Sequence, residues 1–217
     1  GQEAEGEILC EALWDHPLHW IRVAIIRNAI VERYGSGLIG VYLEDTRQES
    51  IETLRSLPLS GEECISNQVK QRYLELAGRM LRNVETPRDL CEIKMPRGYP
   101  ASYFYDGVLK QEKIGRVDIG NPRLHEYLAR TLQYLDDYQA IVDGHNIKSA
   151  IISHPTHFRF STLVWVLILN KIPVYLANAR NGHIAIRVIS RQQHMTIPYD
   201  DAPTAEDIQT LTANDRR

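Results

Sequence analysis

The sequence predicts an α/β protein with a Rossmann-like, doubly wound, mostly parallel sheet and helices on both faces. Short apolar runs of strand length alternate with amphipathic helices over residues 7–84, and the alternation resumes over residues 122–190. This order favours parallel strands joined by helical crossovers. The chain has 217 residues, 43% of them hydrophobic, which suffices for a single domain with a substantial core.

The first half of the chain predicts three strands and three helices. Residues 7–13, EILCEAL, form a short apolar run typical of a buried strand. Residues 17–35 are predicted to be a helix, because Pro17 suits a first helical position and Gly35 suits a helix end. Its apolar stripe consists of Leu18, Ile21, Ile25, Ala29 and Ile30. The remaining elements are a strand at 38–43, a short helix at 50–57, a strand at 64–67 and an amphipathic helix at 68–84.

Residues 85–121 have neither helical nor strand periodicity and are predicted to be an irregular insertion in the domain. The segment contains three prolines, four glycines and a Tyr-Phe-Tyr cluster. A long irregular segment inside a compact domain is more often functional than idle. We therefore expect these residues to contribute to a binding or catalytic site.

The second half resumes the α/β order. Residues 122–143 are predicted to be a helix, since four leucines recur along one side. Residues 183–190 alternate like an edge strand. The other predicted elements are a strand at 150–153, a helix at 160–171, a strand at 173–178 and a closing helix at 204–212 that Thr204 caps.

Composition excludes several classes of protein. The formal net charge of -3 argues against a nucleic-acid partner. No apolar run reaches the roughly 18 residues that a membrane span needs, and the acidic start lacks the basic region of a signal peptide. Three scattered cysteines form neither a metal motif nor a disulfide framework. We expect a cytoplasmic protein.

Histidine-rich loops follow two of the predicted strands. Ligands of an open parallel sheet bind at the carboxyl ends of its strands, which here selects the loops at 14–20, 44–47, 153–159 and 178–183. The first and third of these loops each contain His-Pro-x-His before a helix. Helix N-termini attract anions. We therefore expect one crevice lined by His16, His19, His154 and His157, in which Arg159 and Arg180 bind phosphate or carboxylate.

Three alternatives bear on these histidines. Four imidazoles could ligate zinc, although the sequence has no HExxH motif and each pair is interrupted by a proline. Each histidine could instead cap a helix or hydrogen-bond a neighbouring loop. A direct Ser153–His154 couple is not expected, because adjacent residues of a strand point to opposite faces. No P-loop, GxGxxG or GxSxG motif is present.

The sequence SYFYDG at 102–107 places Asp106 among aromatic residues. Aromatic rings pack on the C–H face of a sugar while a carboxylate accepts from a hydroxyl or acts as a general base. Asp106 is thus a candidate base and Tyr105 a candidate binding residue. An Asp-Gly turn beside core aromatics explains the same residues equally well.

Residues 99–176 resemble bacterial surface-polysaccharide glycosyltransferases of the capsule and lipopolysaccharide biosynthesis type. The family has a Tyr-Asp pair followed by a basic residue, then Thr-Ile-Asp, Ser-His and Gly-Ile-Pro-Val-Tyr. The corresponding residues here are Tyr105, Asp106 and Lys110, then Val117-Asp118-Ile119, Ser153-His154 and Lys171-Ile172-Pro173-Val174-Tyr175. Phe158 and Ser161 replace the tyrosine and glycine that follow Ser-His in the family, which leaves the acceptor open.

The resemblance implies a GT-B architecture, in which two Rossmann-like domains face a cleft and the C-terminal one holds the nucleotide-sugar. This chain would be the N-terminal, acceptor-side half, with its donor-binding domain beyond Arg217 or on another chain. Enzymes of this kind generally need no bound metal or cofactor.

We therefore expect transfer of a sugar from a nucleotide-sugar to a glycan or lipid-linked acceptor, with peripheral association at the inner face of the membrane. Asp106 and His154 are the expected catalytic residues. The alternatives are a non-catalytic module that binds a glycan or a partner, and a metal-dependent hydrolase.

Overall fold

The computed structural model describes residues 6–13, 17–34, 37–180 and 183–190 of the chain. The strands are β1 (Glu7–Glu11), β2 (Gly37–Leu43), β3 (Gly61–Ile65), β4 (Ile147–Ile152), β5 (Val174–Arg180) and β6 (His183–Ile189). The helices are α1 (Pro17–Tyr34), α2 (Gln48–Arg55), α3 (Gln71–Leu81), α4 (Pro87–Glu92), α5 (Ala101–Glu112), α6 (Arg123–Gly144) and α7 (Phe158–Leu169). Among these described helices, none is both long and apolar enough to cross a membrane.

The strands form one sheet in the order β3-β2-β1-β4-β5-β6. The first five are parallel, whereas β6 pairs antiparallel with β5 at the edge. The predicted Rossmann-like α/β fold is thereby confirmed, as is the edge position of the last strand. The strand expected at 64–67 begins earlier, at Gly61. The closing helix expected at 204–212 lies outside the described residues.

Buried apolar clusters cover both faces of the sheet. On one face, α1 and α2 pack over β1, β2 and β4 through a cluster that includes Trp20, Val23, Leu54 and Ile151. On the other face, the larger cluster joins α3 to α7 with the opposite sides of the same strands. Alternate side chains of a strand point to opposite faces, so a sheet enclosed by helices needs apolar residues at both sets of positions.

The apolar stripe predicted for α1 is mostly not the buried one. Ile21 and Ile25 have 54% and 44% of their surface exposed, whereas Trp20, Val23, Ile26 and Ile30 are buried. Ile30 alone is shared by the predicted and the observed buried face, since the side chain of Leu18 is not described. Two apolar stripes at helical spacing run along this helix, and spacing by itself does not tell which one meets the sheet.

The prediction that residues 85–121 are irregular is wrong, because α4, a 3-10 turn at Pro96–Gly98 and α5 lie inside the segment. Its three prolines stand at or just before helix starts, where the missing N–H costs nothing. Thr86 caps α4: its hydroxyl accepts from the Asp89 N–H, and the Asp89 carboxylate accepts from the Thr86 N–H. Residues that suggested loops therefore serve here as helix starts.

Candidate functional site

A crevice is expected between β1 and β4, where the chain connections diverge. β1 leads through α1 to β2 on one side of the sheet, whereas β4 leads through α7 to β5 on the other side. Ligands of doubly wound sheets bind outside the carboxyl ends of the strands at such a switch point. The two His-Pro-x-His loops follow these two strands. Their predicted meeting at one edge of the sheet is thus consistent with the topology.

Glu11, the last residue of β1, is a fully buried carboxylate at this switch point. Its Oε2 accepts from the Leu13 N–H at 2.5 Å. Its Oε1 accepts from the Ser153 N–H at 2.8 Å and also from the Ser153 hydroxyl. A buried charge is tolerated only when donors satisfy it. These three donors do so, and they tie the end of β1 to the loop after β4.

His19, in the first turn of α1, is buried beside the same carboxylate. Its Nε2 lies 2.9 Å from the Glu11 carbonyl oxygen and 3.6 Å from Glu11 Oε1. A carbonyl oxygen can only accept, so Nε2 carries the proton and donates. His19 therefore holds α1 against the end of β1, and its predicted binding role has no direct support from this contact.

Ser153 and His154 form the direct couple that the sequence argued against. Ser153 Oγ lies 3.0 Å from His154 Nδ1. The expectation failed because β4 ends at Ile152, so the alternation of side chains in a strand no longer applies to these two residues.

The direction of hydrogen bonding in this couple differs from that of a serine hydrolase. The Ser153 hydroxyl has one proton, which it donates to Glu11, so its oxygen accepts from the N–H of His154 Nδ1. In a catalytic triad the serine donates to the histidine and the histidine donates to the carboxylate. Here the serine lies between the other two residues, and its hydroxyl is not activated as a nucleophile.

His154 is half-buried and lies 5.4 Å, centroid to centroid, from the Phe160 ring. Burial lowers the pKa of its imidazole, and although Glu11 opposes this effect, Arg159 and Arg22 add to it. The ring is therefore neutral near pH 7, which is the form in which a histidine can accept a proton.

His157 precedes the first turn of α7 with φ of 76°, a left-handed conformation that is uncommon for residues other than glycine. Its Nε2 lies 2.9 Å from Gln111 Oε1, so Nε2 donates and Nδ1 remains as an acceptor. Nδ1 is buried and has no partner among the described residues. Burial lowers the pKa of His157 to about 4, and Arg159 and Lys110 act in the same direction.

Arg159 belongs to the same group of side chains. Its guanidinium carbon lies 5.0 Å from the centre of the Phe160 ring, and the His157 ring lies 6.4 Å from that ring. The positive charge of Arg159 acts on both histidines, that of Arg22 acts on His154, and that of Lys110 acts on His157. The acid that acts on His154, Glu11, already accepts hydrogen bonds from Leu13 and Ser153. The crevice is therefore suited to an anionic group.

Asp106 and Tyr105 lie elsewhere on α5. Asp106 is exposed in the middle of this helix, so the Asp-Gly turn is not formed. Burial raises the pKa values of Cys91 and Tyr103, and the charge of Asp106 is the second cause of both shifts. Asp106 is not among the charges that act on His154 or His157. The Tyr105 hydroxyl accepts a long hydrogen bond, 3.4 Å, from the Val117 N–H, which indicates a packing role.

Two predicted binding residues lie beyond what the structure describes. His16 is outside the described residues, and Arg180 is described only as the last backbone position of β5. Of the predicted site residues, His154, His157 and Arg159 lie together around the Phe160 ring, while Asp106 is not shown to belong with them.

A metal centre has no support in the described part of the chain, where no group of three or more histidine, cysteine or acidic side chains could hold an ion. His19, His154 and His157 each have one ring nitrogen in a hydrogen bond to a protein atom. Such contacts match the alternative interpretation, in which the histidines hydrogen-bond neighbouring loops.

Glu11 is the site residue that the sequence interpretation missed. The signal was a lone carboxylate at the end of an apolar strand, in EILCEAL. A charged residue at such a position is buried only with partners, and the strand end placed it where ligands bind.

Comparisons with known proteins do not assign this site. A scan against protein-family models finds no match, and neither a search of curated proteins nor a search of solved structures finds a match.

Proposed function

We propose that this chain is the acceptor-side domain of a glycosyltransferase that builds a bacterial surface polysaccharide. The enzyme would transfer a sugar from a nucleotide-sugar to a glycan or lipid-linked acceptor. The observation that supports a catalytic role best is the neutral, oriented imidazole of His154 at the switch point between β1 and β4. The resemblance of residues 99–176 to this family supports the choice of reaction.

In this proposal His154 is the general base. Its Nδ1 is committed to Ser153, which leaves Nε2 as the nitrogen that takes the proton of the acceptor hydroxyl. Arg159 and Lys110 bind phosphate or another anionic group of the substrate. His157 Nδ1, which has no partner among the described residues, is the proposed acceptor for a sugar hydroxyl.

Asp106 is the competing candidate for the base. Asp106 is not among the charges that act on His154 or His157, which favours His154 as the base. A base must come within hydrogen-bonding reach of the hydroxyl that it deprotonates. Asp106 therefore has a role in the reaction only if the acceptor extends along α5.

The test is an assay of the protein containing this chain with a panel of nucleotide-sugars and with glycan and lipid-linked acceptors. His154→Gln should reduce kcat by about 100- to 10,000-fold, the usual loss when general base catalysis is removed. The matched control is His145→Gln, which changes a half-buried histidine at the amino ends of the strands and should leave kcat unchanged.

Asp106→Asn completes the set. A large loss in this variant with full activity in His154→Gln would transfer the role of base to Asp106. Acceptor binding without transfer from any nucleotide-sugar would reject the enzyme and favour a non-catalytic binding module.

A further inference from the structure

We infer that Glu11 is a positioning residue, which fixes the tautomer and orientation of the His154 ring through the hydroxyl of Ser153. The inference rests on the proposed function, because it concerns the base of that reaction. The sequence did not lead us to expect Glu11 in the site, and it argued against a direct hydrogen bond between Ser153 and His154.

The contacts form a continuous chain from a buried carboxylate to the crevice. Glu11 is fully buried and Ser153 is 4% exposed, so water does not compete for their hydrogen bonds. Glu11 Oε1 accepts from both the N–H and the hydroxyl of Ser153, which leaves the hydroxyl a single direction for its proton. The Ser153 oxygen then faces His154 Nδ1 at 3.0 Å as an acceptor.

This chain decides which ring nitrogen can act as a base. A neutral imidazole has one donor and one acceptor nitrogen, and the hydrogen bond made by one nitrogen sets the role of the other. Because Nδ1 donates to Ser153, the lone pair belongs to Nε2. Without Ser153, the ring could rotate or adopt the tautomer with the proton on Nε2, which cannot accept from a hydroxyl.

The chain also stabilises the charge that forms during the reaction. The acceptor O–H bond breaks as its proton binds Nε2, the acceptor oxygen forms a bond to the anomeric carbon, and the nucleotide leaves with the bonding electron pair. The imidazolium then donates from Nδ1 to Ser153, whose hydroxyl donates to the negative charge of Glu11. The proton on Nε2 passes to water after the product has left.

Several charged groups act on the His154 ring and enter any pH profile. Glu11 comes from β1, His19 and Arg22 come from α1, and Arg159 comes from the first turn of α7. The charge of His154 in turn acts on His157. Glu11 is the acid among them. Loss of its charge should therefore lower the pH at which His154 protonates, and the acidic limb of the kcat/KM profile should move to lower pH.

The experiment combines nitrogen NMR with kinetics on the protein that contains this chain. Uniform 15N labelling of histidine gives signals that include those of the eight histidines of this chain, and the signal missing in His154→Gln assigns His154. Wild type should show a protonated Nδ1 and an unprotonated Nε2. Ser153→Ala should shift His154 towards the other tautomer and lower kcat by about 10- to 100-fold with little change in KM. Ser153→Thr, which keeps a hydroxyl, should largely restore the wild-type tautomer of His154 and the wild-type kcat.

Glu11→Gln is the second variant, with Glu7→Gln as the matched control at the opposite end of the same strand. Glu11→Gln should shift the acidic limb, whereas Glu7→Gln should not. If Glu11→Gln does not fold, the tautomer of His154 in Ser153→Ala still tests whether this hydrogen-bonded chain positions the ring.

Two results overturn the inference: an unchanged tautomer in Ser153→Ala, or a changed tautomer with unchanged kcat. An inactive wild type whose His154 nevertheless keeps the expected tautomer would instead reject the proposed reaction and leave the positioning of the ring intact.

Discussion

The two ends of β1 each carry a glutamate, and their surroundings differ. At the amino end, the Glu7 side chain is 22% exposed, lies 3.5 Å from His145 and accepts from the Asn146 N–H at 3.0 Å. At the carboxyl end, Glu11 is fully buried and bonded to Ser153. Both carboxylates join neighbouring segments, but only Glu11 is linked to an imidazole at the edge where parallel sheets bind ligands. A similar glutamate–histidine arrangement is thus structural at one edge and points to chemistry at the other.

The largest effect on stability is expected from replacing Glu11, and the same replacement of Glu7 should cost much less. Glu11→Gln replaces one accepting oxygen with an amide N–H₂ that faces either Leu13 N–H or Ser153, so two donors confront each other without water. We expect the free energy of unfolding to fall by about 2–4 kcal/mol. Glu7→Gln should cost only about 0–1 kcal/mol, since water can hydrate the groups around this half-exposed side chain. Urea denaturation of both variants measures the difference, and equal losses would contradict the distinction between the two ends.

Much of the fold could be predicted from the sequence, because its elements are set by local patterns. The helix start at residue 17, the helix predicted from residue 122 and found from Arg123, and the edge strand β6 follow from apolar runs and breakers that act within a few residues. The face of α1 that is buried could not be predicted. Ile21 and Ile25 have the same hydrophobicity as the buried Ile26 and Ile30, and only tertiary packing separates them.

The site was predicted less completely than the fold. His154, His157 and Arg159 were selected as candidates because a strand end and a helix start mark their loop. Glu11 was missed, because its partner Ser153 is 142 positions away along the chain. Hydrogen bonds of that kind leave no periodic signal in the sequence. Asp106 was selected by its aromatic neighbours in the sequence and by the resemblance of Tyr105-Asp106 to a Tyr-Asp pair, but neighbours in the sequence of a helix need not lie on one face.

The next largest effect on the free energy of unfolding is expected at Gly107, and Gly144 serves as its comparison. A Cβ at Gly107 would lie 3.0 Å from the Phe158 backbone nitrogen, where α5 meets the start of α7, whereas nothing lies within 4 Å of a Cβ at Gly144 beside His145. Gly107→Ala should destabilise the protein by about 1–3 kcal/mol. Gly144→Ala should stabilise it by up to about 1 kcal/mol. Denaturation midpoints measure both, and a neutral Gly107→Ala would show that α7 is free to shift.

A smaller effect concerns pH. His157 has a folded-state pKa of about 4 against an ordinary value of 6.5. As the pH falls from 6.5 to 4, the unfolded chain binds a proton that the folded protein does not, so this contribution to stability is full above pH 6.5 and is lost progressively towards pH 4. Partial exposure of the ring limits the effect to about 1–2 kcal/mol. Stability measured in urea should fall less steeply in His157→Gln than in wild type over this range. Identical slopes would contradict the shift.

The smallest effect concerns two residues with left-handed backbones. His157 (φ 76°) lies at the carboxyl ends of the strands, and Lys171 (φ 60°) lies at their amino ends, before β5. His157 has a ring contact with Phe158 at 4.6 Å and a bond to Gln111 that offset its strain, whereas Lys171 is exposed. Lys171→Gly should therefore stabilise the protein by about 0.5–1 kcal/mol, a rise in Tm of about 1–4 °C. His157→Gly should lower the Tm, because removing the ring packing and the hydrogen bond to Gln111 outweighs the relief of backbone strain. A rise in both variants would show that the imidazole of His157 contributes nothing to stability, and that the crevice edge is no more ordered than the turn before β5.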